Sequence, residues 1–273
     1  MRPRAFLGQP QAVVGAVVLA VLIGGCLLVP VLSAHDPYAV DFDQKLQGPS
    51  AAHPLGTDFF GRDLFVRMAL GGRTSLLVAT LALAAVLSVG FVYGSLAALA
   101  GPRIAAALMR LLDALIALPR FPIMVVILVF VRLQANLLTL VFALAIVNWM
   151  LTARLVRGQI LSLQEREFVV AARALGSRWR RIVVRHLLPN SFGVLLVAAF
   201  LELPALILAE AFVSVLGLGL NPPEATWGTI AQDAISQDRT YELVLPSAAI
   251  AIFAVAANWA ADGIQAVLDP RQS

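Results

Sequence analysis

Long uncharged apolar runs recur along this chain and limit its fold more than any other feature. Residues 5–34 carry no charge, nor do residues 74–99. Wound as helix, each run is long enough to cross the roughly 30 Å hydrocarbon core of a bilayer. In lipid every backbone N–H and C=O needs an internal partner, and continuous rather than alternating apolar runs meet that need as helices, not as a barrel. Hydrophobic residues make up 60% and charged residues 13% of 273 residues, too apolar for a soluble globule of this size. The expected fold class is an all-α polytopic membrane protein.

Charge fixes the expected order of crossings. Arginine supplies nearly all the positive charge behind the net +4. Because the arginines flank apolar segments, they act as topology determinants rather than as a nucleic-acid patch. The run after Arg2 and Arg4 contains Ile23-Gly24-Gly25-Cys26, which resembles a lipoprotein cleavage box, but it continues past Cys26 to Leu32. That length favours a retained first span with a cytoplasmic amino end over a signal peptide. Cys26 is the single cysteine, so no intrachain disulfide or CxxC site exists.

The near-neutral stretch from His35 to Arg73 suits the outer face, and a second span follows from Thr74 to about Leu99, ended by Gly101-Pro102. Arg103 and Arg110 then mark a cytoplasmic turn. The third span is irregular: the uncharged part of 121–131 is too short to cross alone, and Pro119 and Pro122 should kink or break it. A fourth span from Leu133 to Ala153 leads back inside. Between Arg154 and Arg185 eight arginines face only Glu165 and Glu167, which places this loop in the cytoplasm. A fifth span runs from about Ser191 to Phe212. A breaker-rich outer segment covers 217–223, and a sixth span from Leu243 to Ala261 returns the carboxyl end inside. The expected organisation is residues 1–73 as first helix plus outer segment, and residues 74–273 as a five-helix core with a cytoplasmic loop at about 156–190. The protein would be multi-pass in the cytoplasmic (inner) membrane, with both termini cytoplasmic.

Within that loop the spacing predicts two short amphipathic helices. Phe168, Ala171, Ala172 and Leu175 recur at i, i+3, i+4, i+7 and form one apolar face. Gly176 is suited to a left-handed C-terminal cap, and Ser177 to the next N-cap. In the second helix Trp179, Ile182, Val183 and His186 share a face, with Arg178, Arg181 and Arg185 opposite, and Pro189 is expected to end it. Two readings fit the pattern: a knob that docks in a groove of a cytoplasmic partner, or a basic loop resting on anionic lipid.

A resemblance separates them. Ala171-Ala172, Gly176, Ile182 and Leu188-Pro189 resemble the cytoplasmic loop of ABC importer permeases. His53-Pro54-Leu55-Gly56-Thr57-Asp58 with Gly61-Arg62-Asp63 is similar to the outer segment of the dipeptide, oligopeptide and nickel permeases, specifically their second, C-type, subunit. The motifs at 216–219, Pro222-Pro223, Trp227-Gly228, Asp262-Gly263 and Leu268-Asp269-Pro270-Arg271 follow in order. One position departs: the family's usual acid before the two alanines is Val170, which leaves Glu165 or Glu167 as substitutes.

The resemblance implies a type I ABC importer permease fold with six transmembrane helices. The implied partners are a second homologous permease subunit, two cytoplasmic ABC ATPase subunits or domains, an extracytoplasmic solute-binding protein and the lipid bilayer, with no nucleic acid. The implied function is ATP-driven translocation of short peptides, with nickel or a nickel chelate as the alternative cargo. The chain has no P-loop GxxxxGK[ST], so it is expected to be a non-catalytic subunit without a cofactor of its own, ATP and magnesium residing on the ATPases. The coupling residues it implies are Phe168, Ala171, Ala172, Leu175, Gly176, Trp179, Ile182, Leu188 and Pro189. A secondary transporter or channel acting alone, or an intramembrane enzyme, would need no such knob.

Charges inside spans cost about 2.5–3.5 kcal/mol each at mid-helix on insertion scales and are functional by default. Arg120 and Glu202 both fall near mid-membrane by rise per residue, either paired or lining the solute path. Glu210, nearer the outer end, is expected to be more exposed. His35, His53 and His186 are scattered over two sides of the membrane in the expected topology, without ligand spacing, so no metal site is expected. Trp149, Trp227 and Trp259 read as interfacial anchors.

Overall fold

The apolar runs fold as helices whose ends sit where side chains or breakers satisfy the free backbone groups. The computed structural model describes residues 9–131 and 136–268. Arg2, Arg4, Leu133 and the Asp269-Pro270-Arg271 part of the last motif lie outside the described residues. Helix α1 covers Pro10–Leu32, with proline in its first turn, where no N–H is needed. Helix α2 covers Leu64–Leu99, and Asp63 caps it by accepting the Val66 N–H. The second span therefore starts ten residues before Thr74, and the expected boundary at 73/74 falls inside one continuous helix.

The expected third span is a bent pair of helices. Helix α3 (Pro102–Ile116) and helix α4 (Arg120–Val131) meet at 83° across the break that holds Pro119. Helix α5 (Leu137–Gln164) starts on an Asn136 cap and runs eleven residues past Ala153. Arg154 and Arg157 are thus helical rather than loop residues, and Arg154 forms an ion pair with Asp113 of α3. Helix α6 (Glu167–Ala174) and helix α7 (Trp179–Ile182) come next. A π-turn at Val183–Leu187 then joins α7 to helix α8 (Leu188–Val213).

Pro189 does not end the second loop helix. It occupies the first turn of α8 beyond the π-turn, so helical structure continues from Trp179 into the fifth span. The wider turn accommodates the N–H that proline lacks. A second π-turn, Ser214–Leu218, closes α8, and helix α9 (Trp227–Ser236) opens with a Thr226/Thr229 capping box. Helix α10 covers Thr240–Leu268. Among the described residues five helical runs are long and apolar enough to cross a membrane, and six if the bent pair is one span.

Small residues let the central helices approach. A Cβ at Gly90 of α2 would meet the Thr152 Cβ of α5 at 2.7 Å, and one at Gly94 would meet the Val156 Cβ at 2.9 Å. Glycines four apart give α2 a flat strip along which α5 packs, the usual way membrane helices gain van der Waals contact. The main core gathers Val78, Ala82, Leu144, Ile207, Trp227 and Phe253 from α2, α5, α8, α9 and α10. A second cluster (Ala98, Val156, Ile160, Leu163, Val169, Ile182, Leu187, Leu195) sits where the loop meets α2, α5 and α8.

Candidate functional site

The loop has a docked underside and an exposed crest. Val169, Ile182 and Leu187 are at most 1% exposed and pack into the second cluster, with Ala172, Val183 and Leu188 half-buried against it. Phe168, Val170, Leu175 and Trp179 point away, and Leu175 is 86% exposed. The predicted face of α6 is therefore split. Phe168, Ala171, Leu175, Gly176 and Trp179 are available to a partner, and Pro189 is exposed on the π-turned segment. Ala172, Ile182 and Leu188 instead hold the loop to the bundle.

Gly176 makes the corner between α6 and α7. Its φ is +75°, the left-handed region, and its N–H donates to Arg173 O at 2.9 Å while the Ser177 N–H donates to Ala172 O at 3.0 Å. These two bonds satisfy the last carbonyls of α6 in a complete glycine-capped turn. The N-cap of α7 is Arg178, not Ser177. Around the corner the Arg173 guanidinium lies 4.5 Å over the Trp179 ring, and Phe168 and His186 have ring centroids 6.0 Å apart. Glu165 and Glu167 are exposed and form no ion pair among the described residues.

The outer segment is tied together by its own motif. Asp58 accepts the backbone N–H groups of Phe60 and Arg62 at 2.9 Å each, binds Arg62 Nε at 2.6 Å and faces Arg67 Nε at 3.4 Å. Arg62 and Arg67 also reach Asp233 of α9, at 3.6 and 3.8 Å. Burial pushes the Asp233 carboxyl above the usual carboxylate range, against the pull of Arg67 and Arg62. His35 and His53 are not scattered: their ring centroids are 4.9 Å apart, with Asp63 beside them, and only His186 stands apart.

Glu210 corrects a second expectation. It is fully buried rather than exposed, because the chain after α8 folds back over it. Ser75 of α2 and Ser214 of the π-turn donate their hydroxyls to it at 3.0 and 2.7 Å. Ser75 Oγ also accepts the Trp227 N–H at 3.1 Å, and the Trp227 indole donates to Met68 O at 3.0 Å. Trp227, 1% exposed, is thus a core residue that pins α9 to α2 rather than an interfacial anchor. Local sequence carries no signal for this network, whose partners are 135 and 152 residues apart. Arg120 and Glu202 are both half-buried and make no direct ion pair among the described residues.

Two family models match. Residues 90–273 match the binding-protein-dependent transport system inner membrane component, and residues 4–49 match the N-terminal TM domain of oligopeptide transport permease C. The oligopeptide transport system permease protein OppC of Bacillus subtilis is 35% identical, over 97% of this chain and 87% of its own length. The dipeptide transport system permease protein DppC of the same organism is 37% identical, over 95% and 82%. A chain of the MetNI methionine ABC transporter in an inward-facing conformation superposes with a TM-score of 0.58 at 18% identity, over 74% of this chain and 96% of that one. At that identity the likeness is one of fold.

Proposed function

The chain belongs to the family of binding-protein-dependent transport system inner membrane components, and on that premise we propose that it moves short peptides across the cytoplasmic membrane as one permease subunit of an ATP-driven importer. The observation that carries the reading is the apolar crest of Phe168, Leu175 and Trp179, exposed on a loop whose underside is locked to the bundle. A surface of that kind transmits force: a partner grips the crest, and buried Val169, Ile182 and Leu187 pass its displacement to α5 and α8.

The partners on this reading are two cytoplasmic ATPases carrying ATP and magnesium, a homologous permease subunit and an extracytoplasmic solute-binding protein. ATPase closure would swing the crest and rock the spans between inward- and outward-open states, a rigid-body switch. Exposed Val170 enlarges the apolar crest at the position where the family carries an acid, so docking here rests on apolar contact rather than on a salt bridge. The relatives named above are peptide permeases, which favours peptide over nickel as cargo. The test is ATP hydrolysis by the complex reconstituted in liposomes with its binding protein, challenged with a peptide panel and with nickel. Stimulation by di- or oligopeptides is expected; stimulation by nickel alone would overturn the cargo, and ATP hydrolysis by the isolated chain would overturn its role as a subunit driven by partner ATPases.

A further inference from the structure

Gln44 has only one possible orientation. Its amide Nε2 donates to Asp41 Oδ2 at 2.8 Å, and a carboxylate can only accept, so Oε1 is the atom that faces His53 Nε2 at 2.8 Å. An amide oxygen also only accepts, so His53 Nε2 carries a hydrogen. In the neutral ring the lone pair is then on Nδ1, which lies 2.7 Å from Asp63 Oδ2. His53 and Asp63 line one cavity together with His35, so a single cation there would meet all three side chains. The other Asp63 oxygen is committed to the Val66 N–H at 2.9 Å, so Oδ2 stays directed at the histidine.

We propose that the outer segment binds a divalent transition-metal ion, Zn2+ by the chemistry of its ligands, through His35, His53 and Asp63. The ring nitrogens and the carboxylate oxygen all lie within 4.8 Å of one another. Tetrahedral bonds of about 2.0–2.1 Å hold ligand atoms about 3.3–3.5 Å apart, so binding draws the exposed His35 side chain inward and opens the 2.7 Å His53–Asp63 contact slightly. His53 and Asp63 are 7% and 3% exposed, while His35 faces a cavity of about 160 Å³ with room for water as a fourth ligand. Two imidazoles and one carboxylate suit zinc better than calcium or magnesium, which take oxygen ligands. The bond from His53 through Gln44 to Asp41 fixes the tautomer from behind, as the outer partners of metal-bound histidines do.

Such an ion would tie the end of α1 to the start of α2. His35 stands three residues beyond Leu32, and Asp63 caps α2, so the ion would close the intervening outer loop. The test uses the untagged full-length chain in lipid nanodiscs, stripped with EDTA, dialysed against Zn2+ and analysed for metal content, with affinity measured by competition against a chromophoric chelator. About one Zn2+ per chain is expected. His35→Ala should weaken it at least about tenfold, and Asp63→Asn, whose amide oxygen still caps α2, should do the same. His186→Ala should change nothing. Failure of the wild-type chain to retain Zn2+, or an affinity indifferent to His35→Ala, would overturn the site and leave the His53–Asp63 contact as a hydrogen bond within the outer segment.

Discussion

Ser75 of α2 donates its hydroxyl to Glu210 of α8 at 3.0 Å and at the same time accepts the Trp227 N–H at the head of α9. One hydroxyl thereby joins three helices. Ser75→Ala leaves a buried N–H and part of a buried carboxylate without partners, a loss of about 1–3 kcal/mol. Because Glu210 binds through the same hydroxyl, Ser75→Ala and Glu210→Ala should be non-additive by at least about 0.5 kcal/mol. Unfolding of the detergent-solubilised single and double variants, followed by tryptophan fluorescence, checks both values.

The two faces of the loop should respond differently to truncation. Ile182 is 1% exposed within the second cluster, so Ile182→Ala should destabilise the protein by about 2–5 kcal/mol. Leu175→Ala, at an exposed position, should stay within about 0.5 kcal/mol of wild type. It should nevertheless weaken co-purification of the ATPases, which Ile182→Ala affects only through folding. Thermal melts and pull-downs on the same preparations separate the two effects.

On the outer face Asp58 and Asp233 should differ in cost. Asp58→Ala leaves buried Arg67 with the Pro37 carbonyl at 3.4 Å and, as its one carboxylate among the described residues, Asp233 at 3.8 Å, a loss of about 3–5 kcal/mol. Asp233→Asn should change stability by no more than about 0.5 kcal/mol at neutral pH, since that side chain is 44% exposed and its contacts are long. The sign of its pH dependence follows from its raised carboxyl. The fold disfavours the ionised form, so whatever Asp233 adds is fully present below the unfolded value of about 3.9 and is lost as pH rises through the higher folded value. The melting temperature of wild type should therefore fall relative to that of Asp233→Asn as pH rises through that range.

Spans marked by uncharged length were legible, because burial in lipid demands unbroken apolar helix; α1 and α10 needed nothing else. Helix ends were less so. Arg154 and Arg157 read as the edge of a span, yet α5 continues through them because Val156, Ile160 and Leu163 still have a core to pack against. Pro189 read as a terminator, but a π-turn absorbs proline without ending a helix. The Gly176 corner was readable because a left-handed cap is local chemistry. Glu210, Trp227 and the His35–His53 pair were misread for the opposite reason: their surroundings come from segments far away in the chain.

Coupling between ATP hydrolysis and peptide movement through the loop is the central claim, and Gly176 is where it is most exposed to test. Any Cβ at a φ of +75° is strained by about 1–2 kcal/mol, more for a branched side chain, while nothing lies within 4 Å of that position to disturb packing. The decisive measurement is ATP hydrolysed per peptide imported in proteoliposomes holding the wild-type or the Gly176→Val complex. Persistent hydrolysis with uptake reduced to background in the variant is the expected result. Uptake at the wild-type ratio would contradict the assignment of this loop as the coupling element.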